Sequence, residues 1–289
     1  MSSLRPRRSV LYMPAANERA LEKAKTIPAD AIIFDLEDAV APDAKDAARE
    51  NAVAAATSGD YGRRELTIRC NGLDTPWGAA DIAAAAGSSA AAVVIPKVTS
   101  TDHLSEVDAQ LRAARAPEDM TIWAMVETPT AIFDIQSIAA HPRVNVLVMG
   151  TNDLIKELRA EQHADRAPLI PHLAMALLGA READKVILDG VYNDVRAPEG
   201  FLAEAQQGRA FGFDGKTLIH PNQVEPANDV WAPSEADIDY SQRVIEAFDE
   251  AVSEGRGVIT VDGRMIENLH VDNARRVLAT AAAIAELNG

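Results

Sequence analysis

Residues 121–154, TIWAMVETPTAIFDIQSIAAHPRVNVLVMGTNDL, decide the fold. They read as strand, helix, strand: residues 121–126 are apolar and suit a buried strand, the chain from Pro129 onward has a helical pattern, and residues 144–149 form a second continuous apolar run. Each strand is followed by an acid. Glu127 comes directly after the first, and Asp153 comes after the second and the short turn Gly150, Thr151, Asn152. Parallel strands deliver both carboxylates to one edge of a sheet, where a hard cation such as Mg²⁺ is held by one or two carboxylates plus waters and substrate oxygens. The competing reading makes each acid a partner of a helix N-terminus, where negative charge is favoured.

The same alternation extends in both directions. Apolar runs at residues 9–13, 31–35, 66–69, 91–96, 185–189 and near 210–213 join the two above, with helical patterns between them, as at 17–25 and 43–57. Eight strands alternating with helices at this length predict a closed (β/α)₈ TIM barrel. An open doubly wound sheet is the alternative, but Pro14, Ala15, Ala16 and Asn17 stand where a glycine-rich dinucleotide fingerprint would follow the first strand. The barrel domain is expected over residues 1–230. Residues 222–233 read as a linker punctuated by Pro226 and Pro233, followed by a helix from a Ser234 cap through Glu254. An extended piece at 258–261 and a final helix at 268–287 complete a C-terminal cap over 231–289, folding over its own site or reaching a neighbouring subunit's.

Composition narrows the partners. The chain has 289 residues, is 47% hydrophobic and carries a net charge of −16, enough to bury a full core and wrong in sign for a nucleic-acid backbone. Local arginines and lysines can still hold a small anion. Cys70 is the single cysteine; it forms no internal disulfide and fits a reducing cytoplasm. The basic start, MSSLRPRRSVLYMP, has too short an apolar run for a signal peptide, and no segment is expected to span a membrane. A soluble, cytoplasmic protein is expected.

In a barrel of this kind, reactive groups belong where strands end. The ends carry Asp35, Glu37 and Asp38, then Arg69, Lys97, Glu127, Asp153, Asp189, and Lys216 with His220 beyond. With Mg²⁺ on Glu127 and Asp153 and its waters near Glu37 and Asp38, a 2-oxo acid's carbonyl would be polarised by a Lewis acid. Arg69 would aim a cationic fork at the same oxygens, or else pair structurally with Glu37 or Asp38. The amides of Gly150, Thr151 and Asn152 could receive the substrate carboxylate. Such a set suits making or breaking a carbon–carbon bond. Lys97 and Lys216 leave open a Schiff-base route, which the clustered acids disfavour by keeping a lysine charged. His220 is read as a loop histidine that fixes backbone.

These residues carry a resemblance. Arg8 to Pro14 (RSVLYMP), Phe34 to Val40 (FDLEDAV), Arg69-Cys70-Asn71, Ile95-Pro96-Lys97, Val126-Glu127-Thr128, Gly150 to Leu154 (GTNDL) and Gly215 to Gln223 (GKTLIHPNQ) together resemble the citrate lyase β-subunit-like (HpcH/HpaI aldolase/citrate lyase) family of CoA-ester lyases. That family includes malyl-CoA and citramalyl-CoA lyases and malyl-CoA thioesterases. The resemblance implies a (β/α)₈ barrel, a homo-oligomer built from trimers (a trimer or a dimer of trimers), and Mg²⁺, with Mn²⁺ as substitute, at Glu127 and Asp153. It implies that Arg69 orients substrate and steadies enolate charge, that Glu37 and Asp38 line the metal's water shell, and that Arg19 and Lys23 contact CoA phosphates.

The tail departs from the family pattern. Family lyases carry Met-Ile-Asp there, the aspartate acting from a neighbouring subunit as acid/base toward the acetyl carbon, whereas this chain has Met265-Ile266-Glu267. The extra methylene lengthens the arm by about 1 Å, a misplacement that can cost roughly 100-fold in rate. The leading expectation is a Mg²⁺-dependent lyase converting a malyl-CoA-like thioester to acetyl-CoA or propionyl-CoA and a 2-oxo acid. The alternatives are a malyl-CoA thioesterase, in which the longer acid activates water, a CoA-independent metal aldolase, and a citrate lyase β-type subunit.

Overall fold

The computed structural model describes residues 5–253 and 259–289. Arg7–Val230 form one compact unit, and Trp231–Gly289 belong to a second. In the first, β1 (Ser9–Pro14) leads to α1 (Glu18–Ala24), β2 (Ala31–Asp35) to α2 (Lys45–Thr57), and β3 (Glu65–Arg69) to α3 (Gly78–Ala86). Next come β4 (Ala92–Ile95) with α4 (Thr101–Ala113), and β5 (Thr121–Val126) with the short α5 (Pro129–Phe133) and α6 (Ile135–Ala140). β6 (Val144–Met149) precedes α7 (Thr151–Leu158) and α8 (Ile170–Glu182), β7 (Val186–Asp189) precedes α9 (Pro198–Phe211), and β8 (Gly215–Leu218) precedes α10 (Val224–Trp231). The strands pair in sequence order, all parallel, and β8 returns to β1, giving the closed (β/α)₈ barrel.

Alternation along the strands fills the barrel. Val10, Ile33, Val94, Trp123, Met125, Val148 and Leu188 form a buried cluster inside it, with Tyr12 packed against its upper edge. The floor is also charged. Arg7 forms a buried two-bond pair with Glu65 (2.6 and 2.9 Å) and lies over the Trp123 ring, while Arg8 binds Asp30 in the same way (2.8 and 2.7 Å). These pairs are closed on themselves. Bidentate geometry offsets their desolvation, and they plug the bottom without offering a reactive group.

Two elements differ from the sequence expectation. Residues 210–213 finish α9 and its cap at Gly212, whose φ is 105°, and the eighth strand is Gly215–Leu218 instead. A glycine and a lysine are poor strand formers, so local propensity hides this strand. Tertiary context overrides it: a Cβ at Gly215 would overlap the Arg7 carbonyl, and the Lys216 ammonium, wholly buried, meets Asp189 at 3.1 Å and Glu204 at 2.7 Å. The supposed linker at 222–233 is largely helical, because Pro226 falls in the first turn of α10, where its missing N–H has no intrahelical partner to lose.

In the second unit, α11 (Glu235–Ser253) begins at Ser234, whose hydroxyl accepts from the Asp237 amide at 3.1 Å. The expected helix end at Glu254 and the start of the extended piece at Val258 lie outside the described residues. β9 (Ile259–Val261) and β10 (Arg264–Ile266) form an antiparallel hairpin before α12 (Asn268–Asn288). Val244, Phe248, Val261, Ile266 and Val271 give this unit its own small core. No helix among the described residues is long and apolar enough to cross a membrane.

Candidate active site

The strand ends surround a cavity of about 420 Å³, lined by Tyr12, Asp35, Asp38, Arg69, Glu127, Gly150, Thr151, Asn152 and Asp153 among others. The barrel therefore brings together most of the ring expected from sequence. Glu127 follows β5 and is buried. Its Oε1 accepts from the Lys97 amide at 2.7 Å, a bond that Lys97 delivers from a left-handed backbone (φ 49°). A Cβ at Gly150 would overlap the other side of the same carboxylate, so glycine is required there for the two loops to approach. The Gly150 amide itself bonds to the Val126 carbonyl at 3.0 Å and is not available to a substrate. Helix α7 starts at Thr151, two residues earlier than the turn suggested, which leaves the amides of its first turn facing the cavity mouth with Asp153 among them.

Arg69 is more occupied than a free fork. Its Nε and Nη2 donate to the two oxygens of Asp35 at 2.6 and 2.7 Å, and Nη1 meets Glu37 at 2.8 Å and Asp38 at 3.5 Å. The structural pairing with Glu37 and Asp38 is thus present, but the main partner is Asp35, which sequence reasoning placed at the strand end without assigning it a role. Register could have found it: Asp35 and Arg69 sit side by side on β2 and β3, facing inward with Ile33 and Thr67. A guanidinium has five N–H donors, so one N–H, on Nη2, remains beyond these contacts. The Tyr12 ring, with its centroid 4.9 Å from the Arg69 guanidinium carbon, covers one face of the group.

The loop after β2 is fixed from several sides. Asp35 also accepts the amides of Glu37 (2.9 Å) and Ala39 (3.1 Å). Lys45 donates to the carbonyls of Leu36 and Glu37 at 2.7 and 2.8 Å and to the Asn71 side chain at 2.7 Å. Lys45 is a supporting group that a search for reactive types at strand ends passes over, since it lies on a helix.

Burial pushes the Glu127 carboxyl up to about 7, with nearby Glu37 and Asp153 adding to the rise against the Lys97 amide bond and Arg69. Burial also pushes Glu37 up to about 7, opposed by Arg69 and reinforced by Asp38 and Asp35. The mouth thus concentrates more negative charge than its cations balance. A divalent cation is the group that relieves such an excess. No cluster of three or more metal-ligating side chains occurs among the described residues. The two carboxylates of Glu127 and Asp153 on one cavity nevertheless fit Mg²⁺, which keeps waters or substrate oxygens in its other positions.

The remaining candidates are placed otherwise. Arg19 and Lys23 are exposed on α1, one turn apart, and neither lines the cavity. Lys216 is sealed in the network with Asp189, Glu204 and Arg166, so it has no access for a Schiff base. His220 accepts the Asn222 amide at 3.2 Å and caps the short turn after β8, as a loop histidine would. Glu267 is exposed at the N-cap of α12, where the His270 ring accepts its amide at 3.1 Å.

The sequence pattern of the HpcH/HpaI aldolase/citrate lyase family matches residues 8–221. The chain belongs to this family. It is 51% identical over 280 residues to a (3S)-malyl-CoA thioesterase of Cereibacter sphaeroides, covering 97% of this chain and 96% of that one. To the citrate lyase subunit beta of Escherichia coli it is 34% identical over 291 residues, covering 99% and 95%. Among solved structures, protein CitE from Mycobacterium tuberculosis in complex with magnesium, acetoacetate and coenzyme A superposes with a TM-score of 0.78 at 28% identity, covering 95% of this chain and 97% of that one. The family is enzymatic, and its members here divide between lyase and thioesterase names.

Proposed function

We propose that the chain is a Mg²⁺-dependent thioesterase that hydrolyses a malyl-CoA-type thioester to free CoA and the corresponding hydroxy diacid. The observation that carries this reading is the 51% identity to a (3S)-malyl-CoA thioesterase over 97% of the chain. Glu267 in place of the lyases' aspartate agrees with it.

Glu127 and Asp153 would hold Mg²⁺, which when bound supplies a Lewis acid for the oxygens of the substrate's hydroxy-acid end. The first-turn amides of α7 at Thr151 and Asn152 attract the free carboxylate of that end. Arg69, locked by Asp35 so that it cannot turn away, directs its remaining Nη2 N–H toward the thioester oxygen, where negative charge grows during attack. Water adds to the thioester carbon and gives its proton to a carboxylate, for which Glu267 is the candidate. The carbon–sulfur bond then breaks, and the thiolate of CoA leaves and takes up a proton. Asp38 and Glu37 border the reacting water, and Arg19 with Lys23 offers the CoA phosphates a pair of cations.

Carbon–carbon cleavage to acetyl-CoA and a 2-oxo acid is the second reading, favoured by the carboxylate retained at 267, since glutamate can exchange a proton with the acetyl carbon. Product balance decides between them. Purified protein with malyl-CoA and Mg²⁺ is expected to release CoA thiol and malate in equal amounts without glyoxylate. Glyoxylate accumulating without free thiol would establish the lyase.

A further inference from the structure

Tyr12 is a polar side chain of the cavity that the proposed reaction has not used. It stands on the inward row of β1, between Val10 and Pro14, and lines the cavity. Its ring lies against the Arg69 guanidinium. Among the described residues its hydroxyl has no hydrogen-bond partner, although Asp35, Glu37, Glu127 and Arg69 all act on it electrostatically. Tyr12 is half-buried, and its phenol stands at the edge of an apolar core in the wall of the open cavity, placed to donate to a molecule bound there.

Place in the barrel says which substrate atom that is. β1 lies across the closed barrel from β5, so Tyr12 and the neighbouring β3 arginine face Glu127 and Asp153 over the mouth. A substrate whose hydroxy-acid end is held at β5 and β6 turns its thioester toward β1 to β3. We propose that Tyr12 is a further catalytic residue: its hydroxyl donates a hydrogen bond to the thioester carbonyl oxygen, beside Arg69, while its ring fixes the plane of that arginine. Burial, reinforced by the surrounding carboxylates, raises the phenol far above its ordinary range and keeps it a neutral donor that retains its proton. The same oxygen gains charge in hydrolysis and in carbon–carbon cleavage, so the role holds for both products. It rests on the reading that this cavity binds the thioester.

The test compares wild type with Tyr12→Phe and Tyr12→Leu in steady-state turnover of malyl-CoA with Mg²⁺, alongside melting temperature. Tyr12→Phe removes only the oxygen and keeps the ring on Arg69. It is expected to lower kcat about 100-fold, as loss of one oxyanion donor does, with KM within about twofold and the melting point unchanged. Tyr12→Leu, which also frees the Arg69 face, is expected to raise KM in addition. Tyr12→Phe with kcat within about twofold of wild type overturns the proposal while leaving the function intact. A fall in kcat that tracks a lowered melting point overturns it in favour of a packing role. Wild-type protein that turns over no malyl-CoA overturns the functional reading, and this proposal with it.

Discussion

At the scale of single residues, the site depends on carboxylates held where they would not sit unaided. Glu127 is clamped between the Lys97 amide and the bare backbone of Gly150. Gly150→Ala places a methyl group in the space of that carboxylate, so it is expected to lower Mg²⁺ affinity at least 10-fold by calorimetry, a cost of about 1.4 kcal/mol or more. Asp35 is the second such point. Asp35→Asn removes the charge facing a buried Arg69, and breaking a buried pair from one side costs on the order of 3–5 kcal/mol. Urea unfolding should show a loss near the lower end, since Glu37 still faces the guanidinium. Titration gives a third expectation. Glu127 and Glu37 stand at about 7 in the fold, against about 4.3 in an unfolded chain. Between those values the folded state binds more protons, so the metal-free protein loses stability as pH rises through this window. Mg²⁺ needs the ionised forms, and its stabilising effect grows over the same range. Saturating Mg²⁺ should therefore raise the melting temperature more at about pH 8 than at about pH 6.

At the scale of elements, legibility in the sequence followed burial. β2, β5 and β6 are continuous apolar runs buried on both faces, and this pattern is what a parallel barrel strand writes into sequence. β8 was not legible where it lies, because Gly215 and Lys216 are there for neighbours distant in the chain, the Arg7 backbone and the Asp189 and Glu204 carboxylates. The candidate ring was legible at Glu127, Asp153 and Arg69, since chemistry-bearing types at strand ends stand out. The Asp35 partnership and the Lys45 brace were not, since both depend on register and on a helix packing beside the loop. Element placement also bears on mechanism. With Lys216 sealed between β7, β8 and α9, sodium borohydride in the presence of a 2-oxo acid should leave its peptide mass unchanged; a reduced adduct at Lys216 would show that the network opens.

At the scale of the whole molecule, the two ends of the barrel divide labour. Ion pairs at the floor are bidentate and closed, while those at the mouth leave surplus carboxylate charge around an open cavity. On the proposed function, the same division suits an acidic chain to an anionic thioester: the cation would come with the site, and Arg69 is local. Family membership joins this barrel to enzymes with thioesterase and lyase names, and the proposed metal pair would serve either product. That pair is tested most directly by titrating Mg²⁺ calorimetrically into wild type, Glu127→Ala and Asp153→Ala. The wild type should bind Mg²⁺, and both variants should lose binding while keeping the fold by circular dichroism. Undiminished binding by Glu127→Ala would contradict the metal site at the ends of β5 and β6.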